Sequence, residues 1–101
     1  MNPADFAIVR RMIGLTLQEL ADRLGVQLRT VQRWENGSSP INEGVQSEMQ
    51  GLRDEHFRLT ADLTMEASAG SVVVIPRDGW YAAAAVRVLS QNPEARFEWK
   101  D

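Results

Sequence analysis

The stretch Thr16–Gly37, TLQELADRLGVQLRTVQRWENG, decides how this chain is read. Thr16 followed by Glu19 predicts a capping box: the threonine hydroxyl accepts the backbone N–H of Glu19, and the glutamate carboxylate accepts that of Thr16. Leu17, Leu20, Ala21 and Leu24 then fall at helical spacing on one face. Ala21 is small where a second helix must cross closely. Gly25 ends the first helix, in the left-handed conformation that glycine adopts at little cost. Leu28, Val31 and Trp34 are spaced by three, and Asn36-Gly37 stops this second helix. Two short helices joined by so tight a turn make a helix-turn-helix, whose second helix can lie in the major groove of DNA.

An αα-hairpin of purely structural use fits the same spacing, and the outer face of the second helix argues against it. Gln27, Arg29, Gln32 and Arg33 point away from Val31 and Trp34, and such side chains suit guanine, adenine and phosphate. A merely solvated face would be expected to carry more Lys and Glu. Those four residues, with Leu28, are the candidates for base contacts. Thr16, Gln18 and Arg11 are the candidates for phosphate contacts, because hydroxyls, amides and helix N-termini fix register without reading sequence.

Upstream, Pro3 suits a first helical turn, and Phe6, Val9, Met12 and Ile13 form an inward stripe, so a first helix is predicted over residues 3–13 with Gly14 ending it. Downstream, Ser38-Ser39-Pro40 is a turn and Asn42 a cap for a long helix over residues 43–67. Val45, Met49, Leu52, His56, Leu59 and Leu63 recur at alternating steps of four and three along it. The first half of that seam closes the core of the helix-turn-helix domain, the head of the molecule. The second half has too few partners in the chain, which points to a dimer contact. Gly51 weakens this helix or marks a close approach or bend. Residues 67–71 read as a hinge, Val72–Ile75 as a buried strand stopped by Pro76, and residues 79–91 as a helix. Ala95, Phe97 and Trp99 alternate with charged residues, as in a half-buried strand. Strand, helix, strand implies a parallel pair. Two strands alone are marginal in water, so Leu52, His56, Leu59, Leu63, Val72, Val74, Phe97 and Trp99 are the candidate dimer interface.

The expected fold class is mainly α with a small α/β appendage: a helix-turn-helix domain over residues 1–50, then a linking helix and dimerisation unit over 51–101. A net charge of −3 argues against a nonspecific nucleic-acid coat. The charge is uneven, near +1 over residues 1–40, −4 over 41–70 and balanced beyond. A locally basic groove-facing helix suffices for a sequence-specific binder, and the acidic middle should face away from DNA. The chain has no cysteine, which removes disulfides and thiolate metal sites, and its single histidine belongs to the seam as a packed, hydrogen-bonded residue. No catalytic set, metal site or cofactor loop is visible, so an enzyme is not expected. Neither is a membrane partner, since no segment approaches a span and the first residues lack a signal peptide's apolar run; the expected place is the cytoplasm.

VRRMIGLTLQELADRLGVQLRTVQRWENG resembles the Cro/C1-type (xenobiotic response element) DNA-binding domain in its Gly-Leu-Thr opening, Leu-Ala pair, Gly-Val turn and Trp-Glu-x-Gly exit. RTVQRWENGSSPI, VQSEM and the tail VVVIPRDGWYAAAAVRVLSQNPEARFEWK are similar to the small regulators that accompany anti-CRISPR genes. The resemblance implies a homodimeric repressor that binds an inverted repeat in double-stranded DNA, autoregulates a phage or mobile-element operon and sits on the nucleoid when bound. It implies that Arg10 pairs with Glu35, and it leaves RNA open as a further partner. Two positions depart from the pattern: Leu17 stands where glutamine is common, and Gln27 where a capping serine is usual. The rival reading is an antitoxin, whose C-terminal part sheathes a toxin while the helix-turn-helix autoregulates.

Overall fold

The computed structural model describes residues 1–101 and places helices α1 (Pro3–Met12), α2 (Leu17–Leu24), α3 (Leu28–Asn36), α4 (Glu43–Ser68) and α5 (Gly79–Gln91), with strands β1 (Val73–Ile75) and β2 (Phe97–Trp99). The local signals explain most boundaries. Thr16 and Glu19 form the reciprocal capping box at α2, and Gly25 closes it at φ 70°. Asn42 Oδ1 accepts the Val45 amide at the start of α4. Asn2 and Asp5 form a second capping box at α1, with Pro3 as the first helical residue. At the start of α5, Asp78 Oδ1 accepts the Tyr81 amide at 2.8 Å.

Two apolar clusters share α4 as a spine. The first holds Phe6, Val9, Ile13, Leu15, Leu20, Ala21, Val31, Trp34 and Met49, where Phe6 meets Trp34 edge to face at 5.8 Å. The second holds Leu63, Ala67, Val73, Ile75, Ala84, Ala85 and Val88. Trp80, at the start of α5, belongs to the first cluster, and Leu59 and Tyr81 touch both. A division at residue 50 therefore falls inside a continuous helix, and one side chain of the C-terminal unit is part of the head. The expected hinge over 67–71 is shorter than that, because α4 runs through Ser68 and Ala67 is buried.

The strands pair in parallel, Val73 opposite Phe97 and Ile75 opposite Trp99. This register corrects the expected interface set. Val73 and Ile75 are the buried pair, while Val72 and Val74 are exposed on the opposite face from Phe97 and Trp99. A second correction concerns the seam. α5 packs along the second half of α4, so His56 and Leu63 are filled from within the chain and present no surface to a partner. Leu52 and Leu59 are half-buried against the same clusters.

Two glycines have opposite meanings. A Cβ on Gly14, at φ +74°, would lie 1.9 Å from the Gly79 carbonyl oxygen, because the α1–α2 turn and the first residue of α5 cross backbone to backbone. Gly51 has open space around its Cβ position and lies in uninterrupted α4, so no close approach explains it. Gly51→Ala should stabilise by about 0.5–1 kcal/mol, while Gly14→Ala should cost about 1–3 kcal/mol through its left-handed backbone alone. Thermal unfolding should move in opposite directions for the two variants.

Candidate nucleic-acid interface

The second helix of the helix-turn-helix, α3, turns Val31 and Trp34 into the core and leaves Arg29, Gln32 and Arg33 exposed. Val31 and Trp34 anchor the helix from beneath, so the outer side chains project from a rigid support. Leu28 is half-buried and lies outside both apolar clusters, on the border of that face. Gln27 is the N-cap residue, exposed, and its side chain makes no cap hydrogen bond. The departure from a capping serine thus leaves the first amides of α3 without a side-chain acceptor, at the positive end of the helix dipole.

The phosphate candidates lie on neighbouring elements. Thr16 is exposed at the N-terminus of α2, where its Oγ1 accepts the Glu19 amide at 3.1 Å and keeps its own proton to donate. Gln18 is exposed, and its amide donates to Asp22 at 2.9 Å, leaving one N–H free. Arg11 is exposed at the end of α1. The chain has two ion pairs, Arg10–Glu35 and Arg23–Glu55. Arg11, Arg29 and Arg33 accordingly carry charge that no carboxylate neutralises.

Arg10 holds the arrangement together from behind. Its Nε donates to Glu35 Oε2 at 2.8 Å and its Nη2 to Glu35 Oε1 at 3.1 Å, a two-pronged pair. Nη1 donates to the Leu15 carbonyl at 2.9 Å. One guanidinium thus joins α1, the α1–α2 turn and the end of α3, with the two side chains only 12% and 14% exposed. By contrast the Arg23–Glu55 pair, at 3.7 Å and largely exposed, contributes little.

A family model described as helix-turn-helix matches residues 7–45. That segment is similar to Cro/C1-type helix-turn-helix domains. Such a domain points to a DNA-binding transcription regulator. The match runs from α1 to the start of α4 and covers under half of the chain; α5 and both strands lie beyond it. No curated protein matches the chain. No helix is long and apolar enough to cross a membrane.

Sequence reasoning missed two residues that bear on the helix-turn-helix. Trp80 inserts into its core from α5, where the Arg23 guanidinium stacks over the indole at 4.5 Å. Arg87 of α5 donates to the carbonyl of Met12, the last residue of α1. No spacing rule links positions so far apart in sequence; an aromatic and an arginine on the helix that otherwise fits the second cluster were the available signals. The Arg10–Glu35 pair yields a stability test. Removing the carboxylate strips two charge-assisted bonds from a largely buried guanidinium, so Glu35→Ala should lower stability by about 1.5–3 kcal/mol. Glu98→Ala, at an exposed strand position, should change it by less than about 0.5 kcal/mol, and chemical denaturation of both variants compares them.

Proposed function

We propose that the protein is a sequence-specific transcriptional repressor that binds an inverted-repeat operator in double-stranded DNA as a homodimer and controls its own operon. The observation that carries this reading is the outer face of α3. Two arginines without carboxylate partners flank a glutamine on a rigidly backed helix, in a chain whose net charge is −3. Arginine offers guanine O6 and N7 two hydrogen bonds, and glutamine does the same for adenine N6 and N7. Thr16, Gln18 and Arg11 hold the backbone, and Gln27 and Leu28 border the bases. The similarity of the tail to anti-CRISPR-associated regulators supports a phage or mobile-element operon in a bacterial cytoplasm. RNA is a further partner to be tested in competition, and the reading includes no catalytic step.

The dimer reading rests on the C-terminal unit. Val86, Leu89 and Trp99 are exposed around an open apolar groove whose floor is Ile75, Ala85 and Phe97. A second copy would cover this surface and relate two α3 helices by a twofold axis. Half-sites would then lie about 34 Å apart, one turn of DNA. The antitoxin reading places a toxin on the same groove; an ordered strand-helix-strand unit supports self-association. Removing residues after Ala69 would confound the test, since Trp80 leaves the head's core with them. Val86→Asp, at a position 65% exposed, avoids that. It should convert a dimer to a monomer in light scattering and weaken operator binding with the fold intact. An unchanged dimer would remove this groove as the interface.

Reading and holding separate experimentally. After selection of an operator from random duplexes, Arg29→Ala or Gln32→Ala should lose about 1–3 kcal/mol at one or two base pairs per half-site. Arg11→Ala should weaken all sequences alike and lower the salt slope by about one ion per subunit. Binding to single-base operator variants at two salt concentrations checks both. A uniform loss for Arg29→Ala would mean that α3 only grips the backbone.

A further inference from the structure

His56 is the one polar residue sealed in the interior, at 0% exposure, and both of its ring nitrogens are engaged. Nε2–H donates to the Trp80 carbonyl at 2.8 Å. Nδ1 accepts from Arg87 Nη1 at 2.9 Å. An arginine has no acceptor, so this pair of bonds requires the neutral ring with its proton on Nε2. The His56 ring also meets the Trp80 indole edge to face at 4.6 Å. The same Arg87 guanidinium donates through Nη2 to the Met12 carbonyl. Two residues further along, Gly14 crosses Gly79 backbone to backbone, and Thr16 then opens α2. The chain of contacts therefore runs from a buried imidazole through one arginine to the turn that sets the operator-facing end of α2.

We propose that Arg87, held by His56, positions the α1–α2 turn of the DNA-binding head, and that protonation of His56 releases it. The inference rests on the DNA-binding reading above only for its effect on operator affinity. A proton on Nδ1 removes the lone pair that accepts from Arg87 and sets two cations in contact. The surroundings offer that charge no relief. α5 presents Arg87, α4 itself presents Arg53, α2 presents Arg23 over Trp80, and α1 presents Arg11 beside Arg87. Glu55, the residue before His56, pairs with Arg23 at 3.7 Å, and neither His56 nor Arg87 has an ion-pair partner.

Burial first, and the Arg87 charge beside it, hold the His56 pKa below its ordinary value of 6.5, against the opposing pull of the Trp80 carbonyl. With the folded value depressed, the contact's stability is complete above about pH 6.5. It is lost as pH falls from there through the depressed value. The chain has one histidine, so a single imidazole reports this transition.

The test uses the full-length protein. Nuclear magnetic resonance should show the His56 ring titrating with a midpoint below 6.5. The Trp80 indole and the Gly14 and Gly79 amides should shift with the same midpoint. Over the same range the dissociation constant for a selected operator should rise about tenfold, the equivalent of one pKa unit of coupling. Arg87→Gln removes the cation but leaves an amide donor, so it should raise the His56 midpoint and flatten the affinity profile. His56 titrating while the turn amides stay still, or tight operator binding unchanged across the range, would overturn the proposal. If no duplex is bound at any pH, the operator reading fails instead. The resonance titration then decides alone: concerted shifts support the release, and static turn amides defeat it.

Discussion

A histidine closed off from water has two ring nitrogens to satisfy, and that requirement decides where the last third of this molecule sits. His56 faces away from solvent at the middle of α4. Its partners come from a single helix, α5, as a carbonyl at Trp80 and a guanidinium at Arg87. Leaving either nitrogen bare in the interior would cost about 1–3 kcal/mol, so the register of α5 along α4 is set by polar geometry as well as by packing. Once that register is fixed, the Trp80 indole enters the head and Arg87 reaches the end of α1. Alanines at 84 and 85 let α5 approach closely enough for the second cluster to close below. No buried side-chain polar atom is left without a partner.

Much of the head was legible because its signals are local. A capping box needs residues three apart, a helix face needs steps of three and four, and a left-handed stop needs one glycine; Thr16–Gly37 carries all three. Asn2 and Asp5 form the same kind of local box at α1, three residues apart around Pro3. The tail was legible in element order and in its parallel pairing, but not in which valines point inward. A run of four apolar residues has no alternation to reveal its parity, and parity came only from the partner strand. The inward seam of α4 was visible as a seam. Its partner was not, because the cover comes from α5 and not from outside the chain. For the candidate interface, exposure of Arg29, Gln32 and Arg33 followed from the depth of Val31 and Trp34, whereas the contact between Arg87 and Met12 spans most of the chain and leaves no periodic trace.

The electrostatic design of the head is subtractive. Its positive face is small, and arises because the acids near it are spoken for. Glu35 is turned inward onto Arg10, and Glu19 is bound to the Thr16 amide as a cap. Arg29 and Arg33 keep their charge free of them. Meanwhile the acids of α4 give the chain its negative balance along a different helix. Long-range attraction to any polyanion is therefore weak.

The crossing of Gly14 and Gly79 has a consequence for how such a chain can diversify. A Cβ on either residue would strike the carbonyl of the other, at 1.9 Å in one direction and 2.2 Å in the other. Neither position can change first without displacing the second. Beside them, the head's core contains an indole that the head's own sequence does not encode. The helix-turn-helix is consequently not a cassette. Grafted onto a foreign tail it would arrive with an unfilled hollow and an exposed turn, so recombination among regulators of this build should favour breakpoints that transfer α5 together with α1.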